Sequence, residues 1–88
     1  MKSGLKGKVV LVTGGAGGIG TQISKAFSEE GAKVIIHYHQ SEKNAEKLAN
    51  ELGCKTIKAD LTDSNQASSL FQQAIKMEGG IDVCIANA

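Results

Sequence analysis

An uninterrupted apolar run, Val9-Val10-Leu11-Val12, passes through Thr13 directly into Gly14-Gly15-Ala16-Gly17-Gly18-Ile19-Gly20. A run without polar alternation suits a strand covered on both faces, as in a parallel sheet. Beyond the glycines, Ile19, Ile23 and Phe27 recur at i, i+4 and i+8 on one helical face, with Lys25, Glu29 and Glu30 elsewhere. The glycines therefore stand where a buried strand must turn sharply into an amphipathic helix. Glycine permits the positive φ of such a turn and lacks the Cβ that would hold an anion away from the backbone. The helix N-terminus offers free N–H groups and a positive dipole end, and no Asp, Ser or Asn stands there to cap it. The arrangement suits a pyrophosphate, with Gly20 allowing the helix to pack closely on the strand. A glycine cluster can also be a loop with no ligand, but here strand, turn, helix and following strand are in register. A nucleoside-triphosphate loop is excluded because no Gly-Lys-Ser/Thr follows.

The same alternation continues along the chain. Val34-Ile35-Ile36 and Ile81 to Ile85, broken by Asp82, are further apolar runs, and Thr56-Ile57-Lys58-Ala59 is a weaker one where a third strand belongs. Ala45, Leu48, Ala49 and Leu52 form a second helical stripe, and Ala67, Leu70, Phe71, Ala74 and Ile75 a third. The stripes stop at Gly31, Gly53 and Gly79-Gly80. Ser41 is a natural N-cap for the second helix, and Asp63 with Gln66 resembles a capping box opening the third. The order β-α-β-α-β-α-β predicts an α/β unit with a parallel sheet and helices on both faces. No linker closes the pattern; the end of the chain does.

Ten Lys plus Arg against nine Asp plus Glu leave a formal charge of +1, too little to gather nucleic acid or an acidic membrane. One tyrosine and two phenylalanines supply no base-stacking surface. Val9 to Val12 is far too short to span a bilayer, and Met1 to Lys8 has a positive start without the apolar region of a signal peptide. These features predict a soluble, cytoplasmic protein with no nucleic-acid or membrane partner. Cys54 and Cys84 lack metal-type spacing and are expected to be buried free thiols, a disulfide being the lesser alternative. His37 and His39 alternate on a strand end and do not by themselves make a metal site.

Written as Thr13-Gly14-x-x-x-Gly18-Ile19-Gly20, the turn resembles the cofactor motif of the short-chain dehydrogenase/reductase family. Ala59-Asp60-Leu61-Thr62-Asp63 follows the third strand, where that family places an Asp that contacts adenine. Ile85-Ala86-Asn87-Ala88 is similar to its Asn-Asn-Ala-Gly segment, with Ala86 replacing the first Asn. The resemblance runs from the first strand to the fourth. It implies a Rossmann-type doubly wound parallel sheet, incomplete, of order 3-2-1-4, with residues 1–88 forming the N-terminal part of one NAD(P)-binding domain. Carried over residue by residue, Gly14 makes the turn, Gly20 packs the helix, and the backbone of Ala16, Gly17, Gly18 and Ile19 faces the pyrophosphate and adenosine ribose. Asp60 accepts from the adenine amino group, the Leu61 amide donates to the ring, and Asn87 and Ala88 lie beside the ribose. Asp60 and Asn87 also have plain readings as turn residues at strand ends.

An acidic residue at the end of the second strand would bind the ribose 2′-hydroxyl and repel a phosphate there. Tyr38-His39-Gln40-Ser41 stands there instead, and His39, Gln40 and Ser41 can hydrogen-bond a 2′-phosphate. Against this, Gly17 occupies a position where many NADP-preferring members carry an arginine. NADP is therefore favoured over NAD, with dual use open. The family's catalytic Tyr and Lys, four apart, and its upstream Ser are absent, since Tyr38 is followed four residues later by Glu42. No catalytic residue is assigned within the chain; they are expected beyond residue 88. The resemblance implies hydride transfer between NAD(P) and a small carbonyl or alcohol substrate, in a protein that is homo-oligomeric when complete, with the 88 residues alone inactive. A non-catalytic NAD(P)-binding module and a scaffold whose glycines serve only packing are the alternatives. Strand order 3-2-1-4 would leave Ile81 to Ile85 as an exposed apolar edge, so the isolated segment is expected to be marginally stable or to associate.

Overall fold

The computed structural model describes residues 4–87. The elements are β1 (Val9–Thr13), α1 (Gly18–Glu29), β2 (Lys33–Tyr38), α2 (Glu42–Leu52), β3 (Lys55–Lys58), α3 (Ser64–Glu78) and β4 (Val83–Ala86). All pairings are parallel, as the sequence pattern predicts, in the order β3-β2-β1-β4 that the family resemblance implies. Val10 pairs with Val34 on one side and with Val83 on the other.

Alternation along the strands divides the core in two. Val10, Val12, Val34, Ile36 and Tyr38 face α1 and α2, packing with Ala45, Leu48 and Ala49 and flanked by Ile23 and Phe27. Val9, Leu11, Ile35 and Ile57 face α3, through Leu70 and Ala74. The first two helices share a face because the chain steps from β1 to β2 to β3 in one direction. The connection from β3 to β4 runs back across the sheet, so a crossover of constant hand puts α3 on the opposite face. The strand order reverses at β1, and there an open parallel sheet forms a crevice beyond its carboxyl ends.

Strand boundaries shift from the sequence expectation where polar residues are bonded. β2 extends through His37 and Tyr38, and β4 begins only at Val83. Asp82, which interrupts the apolar run, accepts from the Val9 amide through Oδ2 at 2.8 Å, while its own amide donates to the Val9 carbonyl at 2.9 Å. It ties the two strand beginnings together.

Two helical stripes are corrected. In α1 the buried residues are Gly20 and Ser24; Ile23 and Phe27 flank them, and Ile19 is 73% exposed. The reason is the close approach at Gly20, which turns the small-residue side of the helix inward. In α3 only Leu70 and Ala74 are buried; Phe71 and Ile75 are exposed, because no second helix stands beside α3 among the described residues. The thiols are free, but Cys54 is half-buried and Cys84 exposed, so both are less buried than expected. Cys84 pairs in register with Leu11 on the sheet face that α3 only partly covers.

The caps also differ in detail. Ser41 occupies the N-cap of α2 but makes no side-chain cap hydrogen bond. Asp63 caps α3, accepting from the amides of Asn65 at 2.9 Å and Gln66 at 3.4 Å. Gln66 does not close the box on the Asp63 amide. Its Nε2 donates to Asp63 Oδ2, and its Oε1 accepts from the Asp60 amide at 2.8 Å. Asp63→Ala is expected to destabilise the chain by about 1 kcal/mol, read from its urea midpoint.

Candidate functional site

Gly14 leaves β1 with φ of 63°, a conformation that side chains disfavour. Its carbonyl then lies against Gly20 on α1. A Cβ at Gly20 would overlap the Gly14 carbonyl oxygen and come within 2.9 Å of Asn87 Nδ2, so this helix packs at a distance only glycine allows. Gly17 is the N-cap of α1 and supplies no side-chain bond, so the first amides of the helix have no side-chain cap. A Cβ built on Gly18 would meet nothing within 4 Å. A bare helix N-terminus with open space over it suits a phosphate group both sterically and electrostatically.

The turn is held from three directions. Ser24, fully buried on α1, donates to the Gly15 carbonyl at 3.1 Å. Asn87 donates through Nδ2 to the Gly14 carbonyl at 3.2 Å, and its amide donates to Thr13 Oγ1 at 3.0 Å. Thr13 Oγ1 in turn donates to the Ile85 carbonyl at 3.2 Å, which links the ends of β1 and β4. From β2, His37 Nδ1 accepts from the Gly14 amide at 2.9 Å and the His37 carbonyl accepts from the Gly15 amide at 3.0 Å. Sequence reasoning missed His37 and Ser24 as parts of this site, and gave Thr13 as the first residue of the motif without its bonds. The available signal was a histidine continuing the apolar run Val34-Ile35-Ile36, whose burial has to be matched by hydrogen bonds.

Most of the sequence-predicted residues come together. Gly14, Ala16, Gly17, Tyr38, His39, Gln40 and Ser41 line one cleft of about 260 Å³, joined by His37. A larger groove of about 390 Å³ between α1 and α2 shares Ala16 and Gly17 and includes Gly18. Ile19 lies exposed in the first turn of α1, and Gly20 is buried behind it. Tyr38 is mostly core: its ring packs under α2 and its hydroxyl lies 3.5 Å from Glu42 Oε1. Burial first, then the Glu42 and Glu46 carboxylates, push its phenol pKa up. That is the opposite of what a phenol acid/base needs. Leu61 is exposed just after β3, and Ala88 lies outside the described residues.

Asp60 sits beside the cleft, with Oδ2 4.0 Å from His39 Nε2. Its Oδ1 is engaged by the Thr62 hydroxyl at 2.7 Å and the Thr62 amide at 3.0 Å. The hydroxyl bond foremost, then the amide bond, hold the carboxyl below the ordinary Asp value, and His39 adds to the effect. Because the folded pKa is the lower one, these bonds stabilise the fold at neutral pH and are lost as pH falls through the folded value. Asp60→Asn is therefore expected to lower Tm at about pH 7, with the difference from the parent shrinking towards about pH 3. No cluster of three or more His, Cys, Asp or Glu suited to a metal occurs among the described residues. No helix among them is long and apolar enough to cross a membrane.

The chain resembles known proteins over nearly its whole length. The family model for short chain dehydrogenases matches residues 8–88. A hydroxynaphthalene reductase-like protein of Metarhizium robertsii is 37% identical over 89 residues, covering 96% of this chain and 33% of the relative. A trihydroxynaphthalene reductase of Pestalotiopsis fici is also 37% identical, covering 96% and 32%. The solved structure of a double mutant of a Serratia marcescens short-chain dehydrogenase/reductase superposes with a TM-score of 0.89 at 38% identity, over 96% of this chain and 36% of that one. The chain thus spans about a third of the length of the relatives it matches. With its doubly wound sheet and its glycine turn, it belongs to the short-chain dehydrogenase/reductase family.

Proposed function

We propose that this chain is the adenosine-diphosphate-binding half of an NAD(P)-dependent oxidoreductase, the N-terminal part of one Rossmann domain. The observation that carries the reading is the uncapped N-terminus of α1 at Gly17, with open space over Gly18, at the mouth of the cleft formed by the end of β2. The cofactor, when bound, supplies or accepts the hydride. The amides of Gly18 and Ile19 bind the diphosphate, and the backbone of Ala16 and Gly17 faces it, with the Gly17 amide already donating to the Gly14 carbonyl at 3.2 Å. Gly14 and Gly20 hold the turn in place, and the segment from Tyr38 to Ser41 encloses the adenosine ribose. Asp60 Oδ2 and the Leu61 amide orient the adenine, and Asn87 with Ala88 flanks the ribose. The proton-transferring residues belong to the rest of the protein, since Tyr38 is buried against carboxylates.

NADP is the favoured cofactor, with dual use open. No carboxylate stands among His39, Gln40 and Ser41, the polar residues at the end of β2, and two of the relatives carry reductase names. The substrate is a small carbonyl compound or the corresponding alcohol, and the complete protein is a cytoplasmic homo-oligomer. The test is fluorescence titration of the whole protein with NADPH and NADH, in the parent and in Ser41→Asp. Aspartate keeps a good N-cap for α2 while placing a negative charge beside the 2′-phosphate. NADPH affinity is expected to fall by about tenfold or more, with NADH affinity nearly unchanged. Binding of neither nucleotide by the parent would refute the reading.

A further inference from the structure

His37 is 2% exposed and sits between the two halves of the site. Paired residues of β1 and β2 end at Val12 with Ile36, where Gly14 turns away from the sheet. The imidazole takes over there. Nδ1 accepts from the Gly14 amide at 2.9 Å, and Nε2 lies 2.8 Å from the Ala59 carbonyl. A backbone amide can only donate and a carbonyl can only accept, so Nε2 carries the proton and donates to Ala59. One rigid ring thus spans from the first residue of the glycine turn to the residue preceding Asp60. Both attachment points are main chain, so the ring fixes backbone positions and not merely side-chain orientations.

We propose that His37 is a positioning residue that sets the spacing between the diphosphate-binding turn and the adenine-binding segment after β3. This rests on the reading of the cleft as an NAD(P) site. The two ring nitrogens can be replaced separately. Asparagine places an amide oxygen near Nδ1 and can still accept from Gly14. Glutamine places an amide nitrogen near Nε2 and can still donate to Ala59. Leucine fills the volume and does neither.

The test measures Kd for NADPH and NADH, and Tm without nucleotide, on the whole protein carrying His37→Leu, His37→Asn or His37→Gln. His37→Leu is expected to weaken binding of both nucleotides about tenfold or more, and each amide variant to recover part of that loss. The recovery is expected to exceed anything their Tm values explain. If His37→Leu fails to fold, the two amide variants carry the test, each binding about threefold or more weaker than the parent at a Tm within a few degrees of it. Nucleotide affinity within twofold of the parent in all folded variants would overturn the positioning role and leave the NAD(P) reading intact. Equal losses in the leucine and amide variants would overturn it as well, since the ring would then only fill space. A parent that binds neither nucleotide would overturn both.

Discussion

Gly20→Val is expected to cost about 3 kcal/mol or more of stability and to abolish nucleotide binding. A Cβ at this position would run into the Gly14 carbonyl and approach Asn87 Nδ2. Neither neighbour can yield cheaply. Gly14 is held by His37 through its amide and by Asn87 through its carbonyl, and α1 is locked to the turn by Ser24. The helix must therefore lift off the strand end, moving its free amides away from where a diphosphate would lie. Gly18→Ala is the matched control. Its Cβ meets nothing within 4 Å and its φ is not positive, so stability is expected to hold or rise by about 0.5–1 kcal/mol. Binding of NADPH should nonetheless weaken by about tenfold, because the added methyl occupies the space over the helix end. Urea unfolding and NADPH titration of both variants separate the two effects. A Gly20→Val protein with parental stability would show that the close approach does not constrain the fold.

Leu70→Ala is expected to cost about 3 kcal/mol, while Phe71→Ala in the same chain costs under about 1 kcal/mol. The two residues are neighbours on α3, but Leu70 is fully buried against the sheet and Phe71 is 41% exposed. Leu70 and Ala74 join the cluster with Leu11, Ile35 and Ile57, so truncating Leu70 opens a cavity in the only packing this face has among the described residues. For a domain of this size such a loss is a large fraction of the total stability. Urea unfolding of the whole protein checks both values. Comparable losses at the two positions would mean that Phe71 is covered, as by association of chains through that face.

The element sequence and the parallel sheet were legible because each strand is a short apolar run and each helix carries a 3.6-residue stripe ending in glycine, while the strand order was implied by the family resemblance. Gly53 and Gly79 do sit in the left-handed conformation at their helix ends. The stripes were less legible at their edges. Period alone placed Ile19 and Phe71 with the core, since apolar periodicity marks which face points inward but not how wide a strip its neighbour covers. Ile19 is exposed because Gly20 sets the rotation of α1, and Phe71 because α3 lacks a companion beside it among the described residues. The candidate site was legible where it depends on missing side chains, as at Gly14, Gly17 and Gly18. It was not legible where it depends on long-range hydrogen bonds.

The local pattern, strand then glycine turn then uncapped helix, was determined by the sequence alone. It follows from φ freedom, the absence of Cβ atoms and the free amides of a helix start, all properties of adjacent residues. The family motif belongs to that same level. Only the tertiary structure decided what holds the turn still. His37 lies twenty-three residues from Gly14, and Asn87 seventy-three, and parallel pairing of β2, β1 and β4 is what brings them into reach. A buried histidine in a strand has no preferred partner until the strands around it are placed. Once they are, the cost of burying its two nitrogens leaves the Gly14 amide and the Ala59 carbonyl as the groups that satisfy them.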